Sequence, residues 1–226
     1  MQIHPSCFIY VISRDFGFAP NPFHGYCTLS ACKPVIRRTA KIGDWVVGMG
    51  GSRLRAVGRC IFCMQVDETL TFDDYWEDPR FRSKRPVRNG SDVMLVGDNI
   101  YHSERGHWTQ EDSHHSLPDG SANSRNVQRD TSADRVLVSS HFRYFGKASI
   151  EIPSSLLRDL NFRNCRSYRR YPLARCQLLL NFLCSNADRN VVIADPIDFS
   201  KAAHRYSGEG AKMLRPTEQS FSTGTE

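Results

Sequence analysis

The sequence predicts an α+β protein, a small curled mixed β-sheet or small barrel with C-terminal helices packed on it. Three observations carry that reading. Runs of β-branched and aromatic residues crowd the first two-thirds of the 226-residue chain. Long polar loops join them, where a doubly wound sheet would have regular crossover helices. The clearest helical period comes late: Leu173, Cys176, Leu180, Leu183 and Cys184 recur at i, i+3, i+7, i+10 and i+11. Such an amphipathic face is stable only when a sheet covers it. The total expected is five or six strands and two or three helices.

Taken in order, residues 7–13 form an apolar run that reads as a central strand. Residues 15–25 hold two prolines, two glycines and Asn21, which excludes regular structure and predicts a shaped loop. Its phenylalanines need burial or a planar ligand to stack on. Gly43 and Asp44 make a turn into a strand over 45–48, and a second strand spans 56–67. Thr71 caps a short helix, with Asp73 and Asp74 in its first turn. Residues 92–96 read as a short apolar strand and 117–129 as a loop rich in Pro, Gly, Asn and Ser. A strand follows over 134–140 and continues through 141–146. Pro153 begins a helix, and 191–194 form a short edge strand. One globular domain over residues 1–200 is expected. Residues 201–226, with little to bury, read as a flexible tail.

Composition narrows the function classes. The net charge of +6 favours an anionic partner. No apolar stretch approaches the roughly 20 residues that span a bilayer, so no membrane partner is expected. The first residues do not read as a signal peptide, which makes a cytoplasmic protein with reduced thiols the expectation.

Residues 97–116 are the densest chemistry in the chain: four histidines, two aspartates and two glutamates, with Ile100 the one aliphatic residue. So polar a stretch reads as a functional loop held between strands, not as a core element. His102, Asp112 and His115 are its catalytic candidates, and Asp98, Asn99 and Trp108 its candidates for contacting a base. His107 and His114 read as solvated. Among eight cysteines, Cys60 and Cys63 have metal-site spacing, but on a strand, where residues three apart face opposite ways. They read as buried structural thiols. Cys27 and Cys32 lie near Lys33, Arg37 and Arg38, cations that lower a thiol pKa when close. Both are candidate nucleophiles. Arg80, Arg82, Lys84, Arg85 and Arg88 form a run without an acid and, with Arg37 and Arg38, are candidates for the DNA backbone. Arg135 reads as one half of a buried pair with Asp130 or Asp112.

Several of these blocks occur in an order that resembles a known family. Residues 18–38, Gly43 to Trp45, 97–102, 108–116 and 130–138 look like the bacterial and phage family called nucleotide-modification-associated domain 2. The resemblance covers roughly residues 7–198. It implies a place in pathways that build hypermodified DNA bases, some of them 7-deazaguanines, with DNA or a modified nucleotide and other proteins of the pathway as partners. A weaker architectural similarity runs through residues 43–48 and 57–66 to PUA-like barrels, including the EVE type, and implies a nucleobase held in an aromatic pocket.

Two functions follow. The first is an enzyme that tailors a base, for example by hydrating the nitrile of 7-cyano-7-deazaguanine to an amide. Cys27 or Cys32 would attack the nitrile carbon, His102 or His115 would shuttle protons, and Asp112 would orient the imidazole. Phe18, Asn21, Phe23, Trp45 and Trp108 would hold the flipped base. A zinc ion on His102, His115 and a cysteine is the metal variant, although the spacing matches no compact zinc signature. The second is a non-catalytic reader using the same pocket, with Asp98, Asn99 and Asp112 reading base edges. Four groups that titrate near neutral pH favour the enzyme.

Overall fold

The apolar run at the N-terminus becomes β1 (Ser6–Ile12), buried on both faces as a strand without polar alternation requires. In the computed structural model, residues 5–164, 167–206 and 213–214 are described. After β1 come β2 (Cys27–Leu29), α1 (Pro34–Thr39), β3 (Trp45–Gly50), β4 (Arg59–Gln65), β5 (Glu68–Leu70) and α2 (Phe72–Glu77). Next are α3 (Asp92–Leu95), β6 (Tyr101–Glu104), β7 (His107–Gln110), α4 (Ser124–Thr131), β8 (Val136–Ser139) and β9 (His141–Tyr144). The chain continues through β10 (Ile150–Glu151), α5 (Ser154–Asp159), β11 (Tyr168–Pro172), α6 (Leu173–Ser185) and β12 (Val191–Val192).

The main sheet has seven strands in the order β11-β1-β3-β4-β9-β12, with β10 also on β4. The pairs β1/β3 and β9/β12 are parallel, and the others antiparallel. A three-stranded sheet, β2-β8-β5, the β6/β7 hairpin and a two-residue antiparallel pairing of Arg205–Tyr206 with Met213–Leu214 complete the described architecture. The fold is α+β with an open mixed sheet; among the described residues no barrel closes, so the barrel alternative is set aside.

Strand alternation sorts the core into two sides. Cys7, Ile9, Trp45, Val47 and Met49 pack with Leu179, Leu180 and Leu183 of α6. Phe8, Tyr10, Ile12 and Val46 point the other way, towards Cys27, Leu29 and Leu137 of the small sheet. The face of α6 is the one its spacing predicted, and Thr71 caps α2 with a reciprocal capping box to Asp74.

Four expectations are corrected. Cys60 and Cys63 are both fully buried, but on the same side of the sheet. The register between β3 and β4 shifts at Gly48/Met49, and the extra residue, Ile61, restarts the alternation. Residues 92–95 are a helix, because a short apolar run cannot by itself separate helix from strand. Part of the 117–129 loop is α4, whose N-terminus is capped by the Asn123 side chain. The polar block at 97–116 runs through the interior: Asp98, Asn99, Ile100 and Tyr101 are buried. Its polarity is tolerated because most of its buried groups are bonded, the Asn99 side-chain oxygen being an exception. Asp98 accepts from Thr28 (2.8 Å), Ser30 (2.9 Å) and Tyr75 (2.8 Å), and Asn99 donates to the Tyr75 carbonyl (2.9 Å). Of the expected tail, residues 201–206 follow a short helical turn and place Arg205 against Asp112. Residues 207–212 and 215–226 lie outside the described residues.

Candidate active site

Cys32 sits in a tight turn between β2 and α1. Its φ of 58° and the φ of 41° at Lys33 are left-handed, a conformation that costs a non-glycine residue about 1–2 kcal/mol. Such strain persists where the surroundings overdetermine it. Here both backbone groups of Cys32 are tied down: its N–H donates to Asp130 (3.0 Å), and its carbonyl accepts from the Arg37 guanidinium (2.9 Å). Pro34 then starts α1, where its missing N–H costs nothing.

The Cys32 sulfur lies 3.7 Å from Nε2 of His115, and Nδ1 of that ring is 2.8 Å from an Asp130 carboxylate oxygen. Asp130 also accepts from the Tyr101 hydroxyl (3.0 Å) and from Arg129 (2.9 and 3.2 Å). The β6/β7 hairpin and α4 hold the arrangement. Asn126 of α4 donates to the His115 carbonyl (2.7 Å), and Gln110 of β7 donates to the Tyr101 hydroxyl (3.0 Å). The result is the nucleophile–base–orienter order of covalent catalysis.

The electrostatics agree with the geometry. Burial opposes charge on Cys32, yet the neighbouring His115 outweighs it and lowers the thiol pKa. Burial likewise disfavours a charged His115, but Cys32 and Asp130 overcome it and raise the ring to about 9. Against its own burial, Asp130 is held well below the usual carboxylate range by His115 and Arg129. Both shifts favour the thiolate–imidazolium form of the pair, with the carboxylate orienting the imidazole.

A cavity of about 230 Å³ opens beside this group. Tyr10, Phe16, Phe18 and His114 give it aromatic walls, and Arg14, Lys33 and Arg129 add positive charge. The Phe18 ring is 4.6 Å from that of His115, and Phe16 is 4.5 Å from His114. His114, expected to be solvated, is instead a buried wall residue whose pKa burial lowers.

Sulfur, imidazole and carboxylate donors also lie within 4.8 Å of one another, close enough for a metal ion. The donor set does not fit one. Both Asp130 oxygens already accept N–H or O–H groups, and the Arg129 guanidinium lies against them. The proposed zinc set of His102, His115 and a cysteine does not assemble, because His102 stacks on Trp76 at 4.2 Å and pairs with Glu111 at 3.0 Å.

Of the residues selected from sequence, the structure brings Cys32, His115 and Phe18 together here. The others are placed elsewhere. Cys27 is enclosed in the core, and burial pushes its thiol pKa far up. Asp112 pairs with Arg205 (3.0 Å), so the carboxylate that orients the imidazole is Asp130. Trp45 faces α6, on the opposite side of the sheet from Tyr10. Asn21 bridges the Val96 carbonyl (2.9 Å) and Lys84 (2.7 Å), and Phe23 stacks on Phe199. Asp98 and Asn99 are committed to the core bonds already described. Trp108 is 37% exposed and lines a separate shallow groove beside α4.

The basic candidates are mostly structural. Arg37 is buried and donates to the carbonyls of Cys32, Asp130, Ala133 and Arg135. Arg38 reaches the Ser132 carbonyl (2.6 Å). Arg80 pairs with Glu68 and Asp78, while Lys84 is buried on Asn21 and Tyr26, with its pKa lowered to about 8 by desolvation. Arg85 lies 3.5 Å over the Trp76 ring, and Arg88 donates to the Leu95 and Ala203 carbonyls (both 2.8 Å). Arg82 is exposed. Arg135 donates to Ala40; the arginine paired with Asp130 is Arg129.

Asp130, Arg129 and Tyr10 were missed as site residues. A helical period was available for Asp130, since Asn126 and Asp130 stand four apart behind a capping Asn123. Fold and site together define an α+β protein with a cysteine–histidine–aspartate centre at an aromatic cavity. The family model for nucleotide modification associated domain 2 matches residues 4–203, and the chain belongs to that family. Comparison with curated proteins and with solved structures finds no match. Family membership associates the chain with nucleotide modification. Among the described residues no helix is long and apolar enough to cross a membrane.

Proposed function

We propose that this protein is a cysteine-dependent enzyme that tailors a modified base in DNA or in a nucleotide. The observation that carries this reading is the Cys32–His115–Asp130 line, 3.7 and 2.8 Å between successive members, at the wall of the aromatic cavity. A non-catalytic reader has no use for a thiolate poised beside a protonated imidazole. The cavity is smaller than sites for drug-sized ligands, which suits a single base with its sugar and phosphate outside. Arg14 and Lys33 on its lining suit the phosphate.

The reaction we assign is hydration of the nitrile of 7-cyano-7-deazaguanine. The Cys32 thiolate attacks the nitrile carbon, one C–N π bond breaks, and the nitrogen takes the His115 proton to give a thioimidate. Neutral His115 then removes a proton from water as the oxygen adds to the same carbon. That proton passes from His115 to the nitrogen as the C=N π bond breaks; His115 then takes the hydroxyl proton as the adduct collapses, which expels the thiolate and leaves the carboxamide, with His115 reprotonated. Asp130 steadies the imidazolium whenever it forms.

The test is nucleoside mass spectrometry on an oligonucleotide carrying 7-cyano-7-deazaguanine, with intact-protein mass in parallel. One water gained on the base, and a Cys32-dependent adduct in trapped samples, are expected. Unchanged base and no adduct, with tighter binding to modified than to plain DNA, would replace the enzyme with the reader.

A further inference from the structure

One basic stretch has no part in the site as described so far. Residues 160–187 hold five arginines and neither aspartate nor glutamate. The run from Arg80 to Arg88 is largely engaged by internal partners; this stretch presents its cations to solvent. Arg163, Arg169, Arg170 and Arg175 are exposed, and no hydrogen bond or ion pair ties Arg163 or Arg169 to another described residue. Arg170 donates from Nε to the Ser6 hydroxyl (3.1 Å) and lies 5.2 Å over the Phe8 ring. These contacts hold the side chain in place and leave its two Nη groups for a partner.

Strand order brings the stretch to the cavity. The cavity lies at the C-terminal end of β1, which lines it from Tyr10 to Arg14. At the edge of the sheet β11 runs antiparallel to β1, with Tyr168 opposite Tyr10 and Arg170 opposite Phe8. Opposed residues share a face, so Tyr168 and Arg170 lie on the side of Phe8 and Tyr10, away from α6. Ahead of β11, Asn164 donates to the Gly50 carbonyl (3.3 Å), and Gly50 pairs with Ile12 of the cavity lining. Arg163 therefore stands at the cavity end of the sheet, and Arg170 about 7 Å along the edge from Tyr168.

We propose that this edge is the track for a DNA strand whose target base occupies the cavity, with Arg163 and Arg170 on phosphates and the half-buried Tyr168 ring against a neighbouring base. The inference deepens the function proposed above, by naming its substrate as a strand and not a free nucleotide. Phosphate contact and stacking carry little sequence information, so the edge accepts any flanking sequence and the cavity selects the base. A single strand suits the arrangement, because the target base must leave its stack to enter the cavity.

The test is fluorescence anisotropy with a labelled single-stranded oligonucleotide of plain DNA, over a series of salt concentrations. Each phosphate contact contributes about 0.7 to the slope of log affinity against log salt for a single strand. Arg163→Gln/Arg170→Gln is expected to bind about 10-fold more weakly, with the slope smaller by about 1.4. Arg163→Gln alone removes no described contact and should lose about 0.7 of slope. Tyr168→Leu should weaken binding about 10-fold at unchanged slope. The comparison variant Arg82→Gln/Arg189→Gln takes the same charge from places away from the edge and should keep the parent slope. Unchanged slopes in Arg163→Gln and in the double variant overturn the track. An equal loss in the comparison variant also overturns it, by reducing the effect to net charge. Polyglutamate that competes as well as DNA overturns it too, in favour of an acidic polypeptide. Nitrile hydration is read separately: a parent chain that never turns over the nitrile, with strand binding lost in the double variant, removes the reaction and keeps the track. Turnover in the parent with strand binding unaltered in the variant keeps the reaction and removes the track.

Discussion

Cys32 was one of two cysteines in a basic neighbourhood, and distance separated them. Cys27 is surrounded by apolar side chains, so its thiol stays protonated. Cys32 faces an imidazole at 3.7 Å. The pair sets a pH dependence with a definite sign. The rate rises with pH as the lowered Cys32 thiol ionises and falls as His115, raised to about 9, gives up its proton. A bell-shaped kcat/KM profile with its alkaline limb near 9 is expected for the parent chain. In Asp130→Asn the carboxylate charge that holds the imidazolium is gone. The alkaline limb should move to lower pH and the rate drop about 10²–10⁴-fold. A limb that stays in place would show that Asp130 does not support His115.

At the level of elements, the site depends on a turn held by one buried cation. Arg37, on α1, gathers the carbonyls of Cys32, Asp130, Ala133 and Arg135, and so ties the nucleophile turn to the end of α4 and the start of β8. A lysine has no planar fork to serve several carbonyls at once. Arg37→Lys is expected to cost about 2–4 kcal/mol, read as a lower urea midpoint at unchanged slope, and to slow the reaction by loosening Cys32. The elements differed in legibility. The α2 cap and the α6 face were plain, because i, i+3 and i+4 spacing is a local property. The β6/β7 hairpin and α4 were hidden in polar sequence, because their stability comes from partners far along the chain, such as Asp73 accepting from the Ser103 N–H at 2.6 Å.

Across the described residues of the whole molecule, two thiols have a lowered pKa, Cys32 and, through its hydrogen bond with Cys7, Cys176; Cys32 is the one that faces a histidine. Of the seven described cysteines, Cys7, Cys27, Cys60, Cys63 and Cys176 are buried. Burial raises the thiols of Cys27, Cys60, Cys63 and Cys184, whereas a hydrogen bond to Cys176 leads the causes that raise Cys7. Substoichiometric iodoacetamide on the native chain near pH 6.5 should label Cys32 first, as read by peptide mass spectrometry. Comparable labelling at Cys184, which is partly exposed, would remove the argument for an activated Cys32.

The sequence by itself determined the α+β class, the central apolar strand, the shaped aromatic loop, the face of α6, and Cys32, His115 and Phe18 as residues of interest. Those features follow from composition, local turn chemistry and short-range periodicity. Only the tertiary structure decided that Asp130, not Asp112, stands behind His115, that Cys27 and Trp45 are core, that the run from Arg80 to Arg88 is largely spent on internal partners, and that Tyr10 meets the cavity. The reason is reach. Cys32 and His115 are 83 residues apart, and Cys32 and Asp130 are 98 apart. Bonds across such separations are made by sheet order and strand parity, and a single bulge at Ile61 is enough to change which side chains share a face.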